Sequence, residues 1–235
     1  ETDYCQEAAA LGRYQGHLVD DDRFLLPQVI ESLSTSEVLA MTYLDGDPIE
    51  SLEEQPAMKR NAAASTLLEL AMREVFDWGL VQTDPNFANY QYLPGSGKLA
   101  LLDFGATRSY SKARQASLLN LLRAITGGED GDITQSAVQV GYLGESDPRE
   151  YREFVLRLLH MVGEPLTARQ SYDFARTDLA SRMSDTLIEL RLRSRYGRIP
   201  PPDILFLHRK LGGIFLLLSR LQARIDARAL VTPYL

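Results

Sequence analysis

Apolar residues recur every three or four positions in two stretches of the N-terminal third of the chain. Residues 3–18 show this spacing and predict an amphipathic helix. Residues 56–78 show it more strongly, and Gly79 follows as a helix stop signal. The positions of this second helix that fall in register are Ala63, Leu67, Leu70, Ala71, Glu74 and Val75.

Short β-rich runs predict the strands. Residues 23–30 and 36–44 form two such runs with a polar turn between them, and the Gly and Pro of residues 45–49 predict a further turn. Residues 89–93 and 98–104 are joined by Pro-Gly-Ser-Gly, which predicts a hairpin. Strands and hairpin together predict a small β component beside the two helices.

After Gly105 the pattern is helical to the end of the chain. The predicted helices cover residues 111–126, 130–142, 148–162, 170–195 and 202–226, with a proline-rich break at 197–203. The last helix contains the most apolar window, residues 214–221, which is too short for a bilayer that needs about 20 residues. An interior glycine costs a helix about 1 kcal/mol. The pair Gly212-Gly213 in this helix therefore indicates a packing reason, which is most simply the close approach of another helix.

Composition limits the class of protein. The 235 residues, 45% of them hydrophobic, suit one globular domain or one large lobe of a longer protein. A net charge of −7 with scattered arginines argues against nucleic acid as a partner. Cys5 is the only cysteine, which excludes an intrachain disulfide and favours a reducing compartment. The first residues carry no initiator Met and no targeting signal, so we expect a segment upstream of residue 1.

Three polar residues point to phosphate and metal chemistry. Asp84 and Asn89 lie five residues apart on a turn-rich loop, and their carboxylate and amide oxygens suit Mg²⁺. Asp103 ends an apolar run and is followed by Phe104 and Gly105. Asp-x4-Asn followed by Asp-Phe-Gly is the arrangement of protein-kinase-like phosphotransferases. The structural alternative is that Asp84 caps a turn, Asn89 starts a strand and Asp103 caps a helix.

Longer segments resemble a known family. QTDPNFANY, LALLDFGATRSY, ETDYCQEAAALGRY and LAMTYLDGDPI together resemble the UbiB family of atypical kinases of ubiquinone (coenzyme Q) biosynthesis, and PPPDILFLHRKLGGIFLL resembles its closing helix. The resemblance runs from residue 1 to about residue 230. Gln82-Thr83-Asp84, where many bacterial members have His-Ala-Asp, is similar to the branch that contains the mitochondrial members and related bacterial proteins.

This resemblance implies an α+β, protein-kinase-like fold, present mainly as the helical C-lobe. Residues 1–46 would supply an αC-like helix, the end of the N-lobe sheet and the hinge, and residues 47–235 would form the C-lobe. Asp84 would orient or deprotonate the acceptor, and Asn89 and Asp103 would hold Mg²⁺. Glu7 matches the Glu that pairs with the ATP-binding Lys.

The resemblance also places the nucleotide. Adenine would meet the hinge near Met41, Tyr43 and Leu44. Every lysine of the chain follows Glu7, so the family's Lys-x-Gly-Gln segment and Ala-rich loop would lie upstream of residue 1. We therefore expect this chain alone to bind Mg-ATP weakly and to be inactive.

The predicted function is an ATP- and Mg-dependent atypical kinase or ATPase that supports ubiquinone biosynthesis. Its partners would be ATP, lipid or quinone precursors and other biosynthetic proteins at a membrane surface, without nucleic acid. We expect the protein at the inner membrane, on the cytoplasmic face in a bacterium or the matrix face in a mitochondrion. Two alternatives remain: a phosphotransferase of the aminoglycoside or choline type, which usually lacks Phe-Gly after the metal Asp, and a catalytically silent scaffold that binds nucleotide or lipid.

Overall fold

A computed structural model describes residues 3–193 and 198–235. In the first half, the elements are α1 (Tyr4–Leu18), β1 (Phe24–Leu25), β2 (Asp47–Pro48), α2 (Ala57–Met72), β3 (Leu80–Gln82), β4 (Tyr90–Leu93), β5 (Lys98–Leu101) and β6 (Thr107–Ser109). In the second half, they are α3 (Lys112–Gly127), α4 (Asp130–Val140), α5 (Arg149–Thr167), β7 (Tyr172–Asp173), α6 (Leu179–Arg193), α7 (Pro202–Arg220), β8 (Arg224–Ile225) and α8 (Ala227–Val231). Helices therefore dominate the second half.

Local signals fix where the first helices begin and end. The Asp3 carboxylate accepts a hydrogen bond from the Cys5 N–H and caps α1. Helix α2 continues as a π-helical turn, Arg73–Trp78, and Gly79 then ends it in the left-handed region at φ +60°. A side chain at position 79 would meet the Tyr110 carbonyl at 2.8 Å, so both the backbone angle and the space require glycine.

The sheets bring the two polar loops together. The larger sheet has the order β1-β5-β4-β2, in which β4 and β5 form the predicted hairpin and β1 runs parallel to β5. Strands β3 and β6 pair antiparallel in a second sheet, with Gln82 opposite Thr107. The loop of residues 83–89 connects β3 to β4, and the loop of residues 102–106 connects β5 to β6. Because each loop joins the same two sheets, the two loops lie side by side.

Helix α7 belongs to two hydrophobic cores. The first core gathers α1, α2, the larger sheet and the C-terminal part of α7, including Ile214 and Leu217. The second packs α3, α4 and α5 against the N-terminal part of α7, including Ile204 and Leu207. The helix thus connects the helical tail to the part of the chain that carries the polar loops. None of the helices in residues 3–193 and 198–235 combines the length and the apolar character that a membrane span needs.

Several secondary-structure predictions were wrong. Residues 36–44 form no regular strand and contribute one antiparallel bridge, between Met41 and Val29. The predicted turn at 45–49 contains the edge strand β2. Proline is tolerated in an edge strand because its missing N–H need not remove a hydrogen bond from the sheet, and Pro48 occupies such a position. Strand β6 also interrupts the stretch after Gly105 that was predicted to be all helical.

The predicted helices 170–195 and 202–226 are shorter than expected. Strand β7 precedes α6, and it pairs with β8, which follows α7. Helix α7 ends before Gln222, whose φ of +51° is left-handed and incompatible with a continuing α-helix. Residues 194–197, which include the end of the first predicted helix and the start of the predicted break, lie outside the described residues.

Candidate functional site

The loop of residues 83–89 holds Asp84 and Asn89 against each other. Asn86 starts a short 3-10 turn by accepting a hydrogen bond from the Ala88 N–H at 3.1 Å, and this turn folds the chain back. The Asn89 amide nitrogen then donates to Asp84 Oδ2 at 2.8 Å. This bond engages the nitrogen of the buried Asn89 amide, and the amide oxygen is of the ligand type that a hard cation takes.

The Asp-Phe-Gly segment forms a tight turn beside this loop. Asp103 Oδ1 accepts the Gly105 N–H at 2.9 Å. Phe104 is buried, and its ring lies 4.8 Å from that of Tyr14 on α1. A Cβ at position 105 would lie 3.1 Å from Glu7 Oε2, so a side chain there would displace the Glu7 carboxylate by a few tenths of an ångström. The segment is therefore anchored to α1 through both its aromatic ring and its backbone.

Glu7 lies on α1 next to Asp103. Its Oε1 accepts the Phe104 N–H at 3.3 Å. Burial raises the pKa of Glu7, and the neighbouring Asp103 carboxylate raises it further. In residues 3–193 and 198–235, no lysine or arginine forms an ion pair with either carboxyl group. A positive charge placed beside these two carboxyl groups would relieve their mutual repulsion.

The donor atoms fit Mg²⁺. Asn89 and Asp103 line the same small cavity, of about 10 Å³, whose wall also includes the buried Glu74 and Lys210. An amide oxygen and a carboxylate suit a hard cation that keeps waters and takes phosphate oxygens as its remaining ligands. Within the described part of the chain, no group of three or more His, Cys, Asp or Glu could hold a metal by itself. Asn89 and Asp103 together supply two oxygen ligands of the kind that Mg²⁺ takes.

Helix α7 adds two cations that the sequence pattern did not single out as functional. Arg209 Nη2 lies 3.6 Å from Asp84 Oδ1 at the surface. Lys210 is 2% exposed, and its Nζ lies 2.6 Å from Glu74 Oε2, which is 1% exposed. A signal for this pair existed, since Lys210 occupies the buried face of an apolar helix and Glu74 is buried in the π-helical turn that continues α2.

A groove of about 760 Å³ runs beside the same loop. The loop from Pro85 to Ala88 forms one wall, and α7 from His208 to Leu216 forms the other. Its volume falls in the range of small-molecule sites, roughly 300–1,000 Å³. Arg209 lines the groove and also contacts Asp84, so the groove adjoins the candidate catalytic carboxylate.

The three residues predicted to meet adenine lie between α1 and β2. Met41 forms the bridge to Val29, Tyr43 is 85% exposed, and Leu44 is half-buried. Their role stays a prediction. The structure brings together the other four predicted site residues, since Glu7 and Asp103 are adjacent and Asn89 contacts Asp84 and shares a cavity with Asp103.

Curated relatives match nearly the whole chain. The mitochondrial atypical kinase COQ8B of Rattus norvegicus is 35% identical over 98% of this chain, and the match covers 43% of the relative. Mitochondrial coq-8 of Caenorhabditis elegans is 32% identical over 98% of this chain and 31% of its own. COQ8 of Saccharomyces cerevisiae is 31% identical over 98% of this chain and 46% of its own. The chain thus spans less than half the length of these relatives.

The fold is also found among solved structures. The Mycobacterium tuberculosis protein Rv3197, solved in complex with erythromycin, superimposes with a TM-score of 0.74 at 20% identity, over 98% of this chain and 57% of that one. The profile of the ABC1 atypical kinase-like domain matches residues 1–137, more than half of the chain. The chain has a kinase-like α+β fold and belongs to the family of ABC1 atypical kinase-like domains.

Proposed function

We propose that this chain carries the catalytic half of an ATP-dependent atypical kinase or ATPase that supports ubiquinone biosynthesis. The observation that supports this most directly is the meeting of two loops, one with Asp84 and Asn89 and the other with Asp103, beside Glu7. The relatives named atypical kinases COQ8 support the same activity for the longer protein. The segment that completes the ATP site is proposed to lie upstream of residue 1.

We assign a role to each polar residue, and its position supports that role. Asn89 and Asp103 would hold Mg²⁺, which when bound neutralises charge on the phosphates of ATP. Glu7 would anchor the ATP-binding lysine of the upstream segment. A lysine placed there would also relieve the repulsion between Glu7 and Asp103 that raises the pKa of Glu7.

Asp84 would position the nucleophile, either water or an acceptor hydroxyl. Its two carboxylate oxygens have different partners, because Oδ2 accepts from Asn89 and Oδ1 faces Arg209. Two contacts from opposite sides restrict rotation of the carboxylate. An oriented base of this kind favours one direction of attack on the phosphate.

The remaining parts of the site complete the proposal. Adenine would lie against Met41, Tyr43 and Leu44. The acceptor would enter through the groove between α7 and the loop of residues 83–89, here called the catalytic loop. Apolar residues of this groove, such as Phe87 and Leu216, suit a lipid or quinone precursor. The relatives are mitochondrial by name, and we propose that this protein works at a membrane surface with other ubiquinone-biosynthesis proteins.

The test uses the full-length protein and the variant Asp103→Asn. This variant keeps the shape of the side chain but removes the charge that binds the cation. We expect Mg-dependent phosphate release from ATP to become undetectable. Thermal unfolding measured in parallel shows whether the variant is folded.

The matched control is Asp185→Asn, which removes an exposed acidic residue on α6. We expect it to keep the wild-type rate. Wild-type turnover by Asp103→Asn would exclude the metal role of Asp103. Phosphate release measured with and without lipid vesicles and quinone precursors tests the acceptor. A rate of phosphate release that neither addition changes would contradict the proposed acceptor class.

A further inference from the structure

Lys210 sits in the interior, directly behind the catalytic loop. Its ammonium group lies 2.6 Å from Glu74 Oε2 and donates to the Tyr90 hydroxyl at 3.3 Å. Burial by itself lowers the pKa of Lys210, but the Glu74 carboxylate and Tyr90 more than offset this, and the pKa is raised above its ordinary value. Lys210 is therefore protonated in the core.

The pair is connected to each part of the candidate site. Tyr14 donates to Glu74 Oε1 at 2.5 Å, and the Gln82 N–H donates to the Tyr14 hydroxyl at 2.8 Å. Gln82 precedes Asp84 by two positions, and Tyr90 directly follows Asn89. The network thus holds the chain just before and just after the catalytic loop, and Tyr14 belongs to the helix that carries Glu7.

Stability alone does not account for this network. A buried ion pair generally contributes no more than an apolar pair of the same volume, because both charges lose their hydration. The cost is increased by Gln82, whose amide oxygen and nitrogen are buried without a hydrogen-bond partner among the described residues. Departures from ordinary core chemistry concentrate at functional sites, where position matters more than stability.

We propose that Lys210 is a positioning residue, which fixes both ends of the catalytic loop by holding Glu74 and Tyr90. The proposal rests on the proposed function, because the loop in question is the one assigned to the metal and the acceptor. In this role Lys210 needs no contact with the reacting atoms. It acts through Tyr90 on Asn89, and through Glu74 and Tyr14 on the segment that enters the loop at Gln82.

Three variants separate positioning from packing. Lys210→Met leaves Glu74 buried without a cation, and we expect it to lose stability. The double variant Lys210→Met with Glu74→Leu removes both charges and should regain most of that stability. Tyr90→Phe removes only one hydroxyl and leaves the core filled, so it reports on the contact without a folding defect.

The measurements use the full-length protein. Urea unfolding gives stability, the half-saturating Mg²⁺ concentration for ATP turnover gives the metal dependence, and hydrogen exchange of the amides of residues 82–90 gives the order of the loop. We expect the double variant to be near wild-type in stability, to need roughly tenfold more Mg²⁺, and to exchange faster in the loop. Tyr90→Phe should shift both loop readouts in the same direction by less.

The control is Arg220→Met, at the end of the helix that carries Lys210. This variant breaks an exposed ion pair of 2.6 Å between Arg220 and Glu53. It should change neither the Mg²⁺ requirement nor loop exchange. Wild-type loop exchange in both the double variant and Tyr90→Phe would overturn the positioning role. If the wild-type protein hydrolyses no ATP, the proposed function fails, and loop exchange still decides whether Lys210 positions the loop.

Discussion

The pair Gly212-Gly213 offers a perturbation whose magnitude can be worked from the structure. A Cβ added at Gly213 would lie 2.4 Å from Pro85 Cβ and 3.0 Å from Pro85 Cα. Carbon atoms in contact are ordinarily about 3.5 Å apart or more, so helix α7 or the catalytic loop would have to move by roughly 1 Å. The proline ring cannot rotate away, because it is part of the backbone.

Gly212 provides the matched control one residue earlier on the same helix. A Cβ at Gly212 would meet nothing within 4 Å. Both substitutions gain about 1 kcal/mol of helix propensity, and only Gly213→Ala pays an overpacking cost of about 1–3 kcal/mol. We therefore expect Gly212→Ala to stabilise the protein and Gly213→Ala to be about 1–3 kcal/mol less stable than it.

Urea unfolding of the two variants and the wild type measures this difference. Gly213→Ala should also lower ATP turnover in the full-length protein, because Pro85 directly follows Asp84 and the displaced loop moves that carboxylate. A Gly213→Ala protein as stable as Gly212→Ala would refute the close contact between α7 and the catalytic loop.

Two further predictions concern stability. Hydrogen bonding to Arg23, and also to Arg73, holds the pKa of Asp21 well below its ordinary 3.8. The Asp21 carboxylate therefore stabilises the fold above about pH 4, and this contribution is lost as the pH falls further. The free energies of unfolding at pH 7 and pH 3 should thus differ less in Asp21→Asn than in the wild type. Gly79→Ala combines a left-handed φ of +60° with contacts of 2.8 Å, whereas Gly97→Ala at φ +74° meets open space. In thermal unfolding, the free energy of unfolding should fall by about 2 kcal/mol or more for Gly79→Ala and by about 1 kcal/mol for Gly97→Ala. Equal losses would contradict the steric reasoning.

The parts of the fold that depend on local pattern were predictable from the sequence. The helical period predicted α1 and α2, the Pro-Gly-Ser-Gly turn predicted the hairpin β4–β5, and Gly79 ends its helix as expected. The motifs around Asp84 and Asp103 predicted the kinase-like family, which the family match confirms. These features could be predicted because the residues that determine each of them are close together along the chain.

Features that depend on distant pairing were missed. Strands β7 and β8 contain two residues each and exist because they pair with each other across α6 and α7. Their sequences show no alternation of their own, so the surrounding helical period dominated the prediction. The pair of Glu74 and Lys210 was missed for a related reason. A charged residue in an apolar helix can be interpreted as half of a buried ion pair only when its partner, distant in sequence, is known.

In the proposed positioning of the catalytic loop, close packing complements the polar contacts of α7. Arg209, Lys210 and Gly213 lie within little more than one helical turn, and they contact Asp84, Tyr90 and Pro85 respectively. A side-chain contact alone would allow the loop to slide, since long cations are flexible. The backbone contact at Gly213 removes that freedom by setting the distance between helix and loop. Once that distance is set, the Lys210 ammonium reaches Glu74 and Tyr90 together, and the polar network fixes the orientation that the apolar contact leaves open.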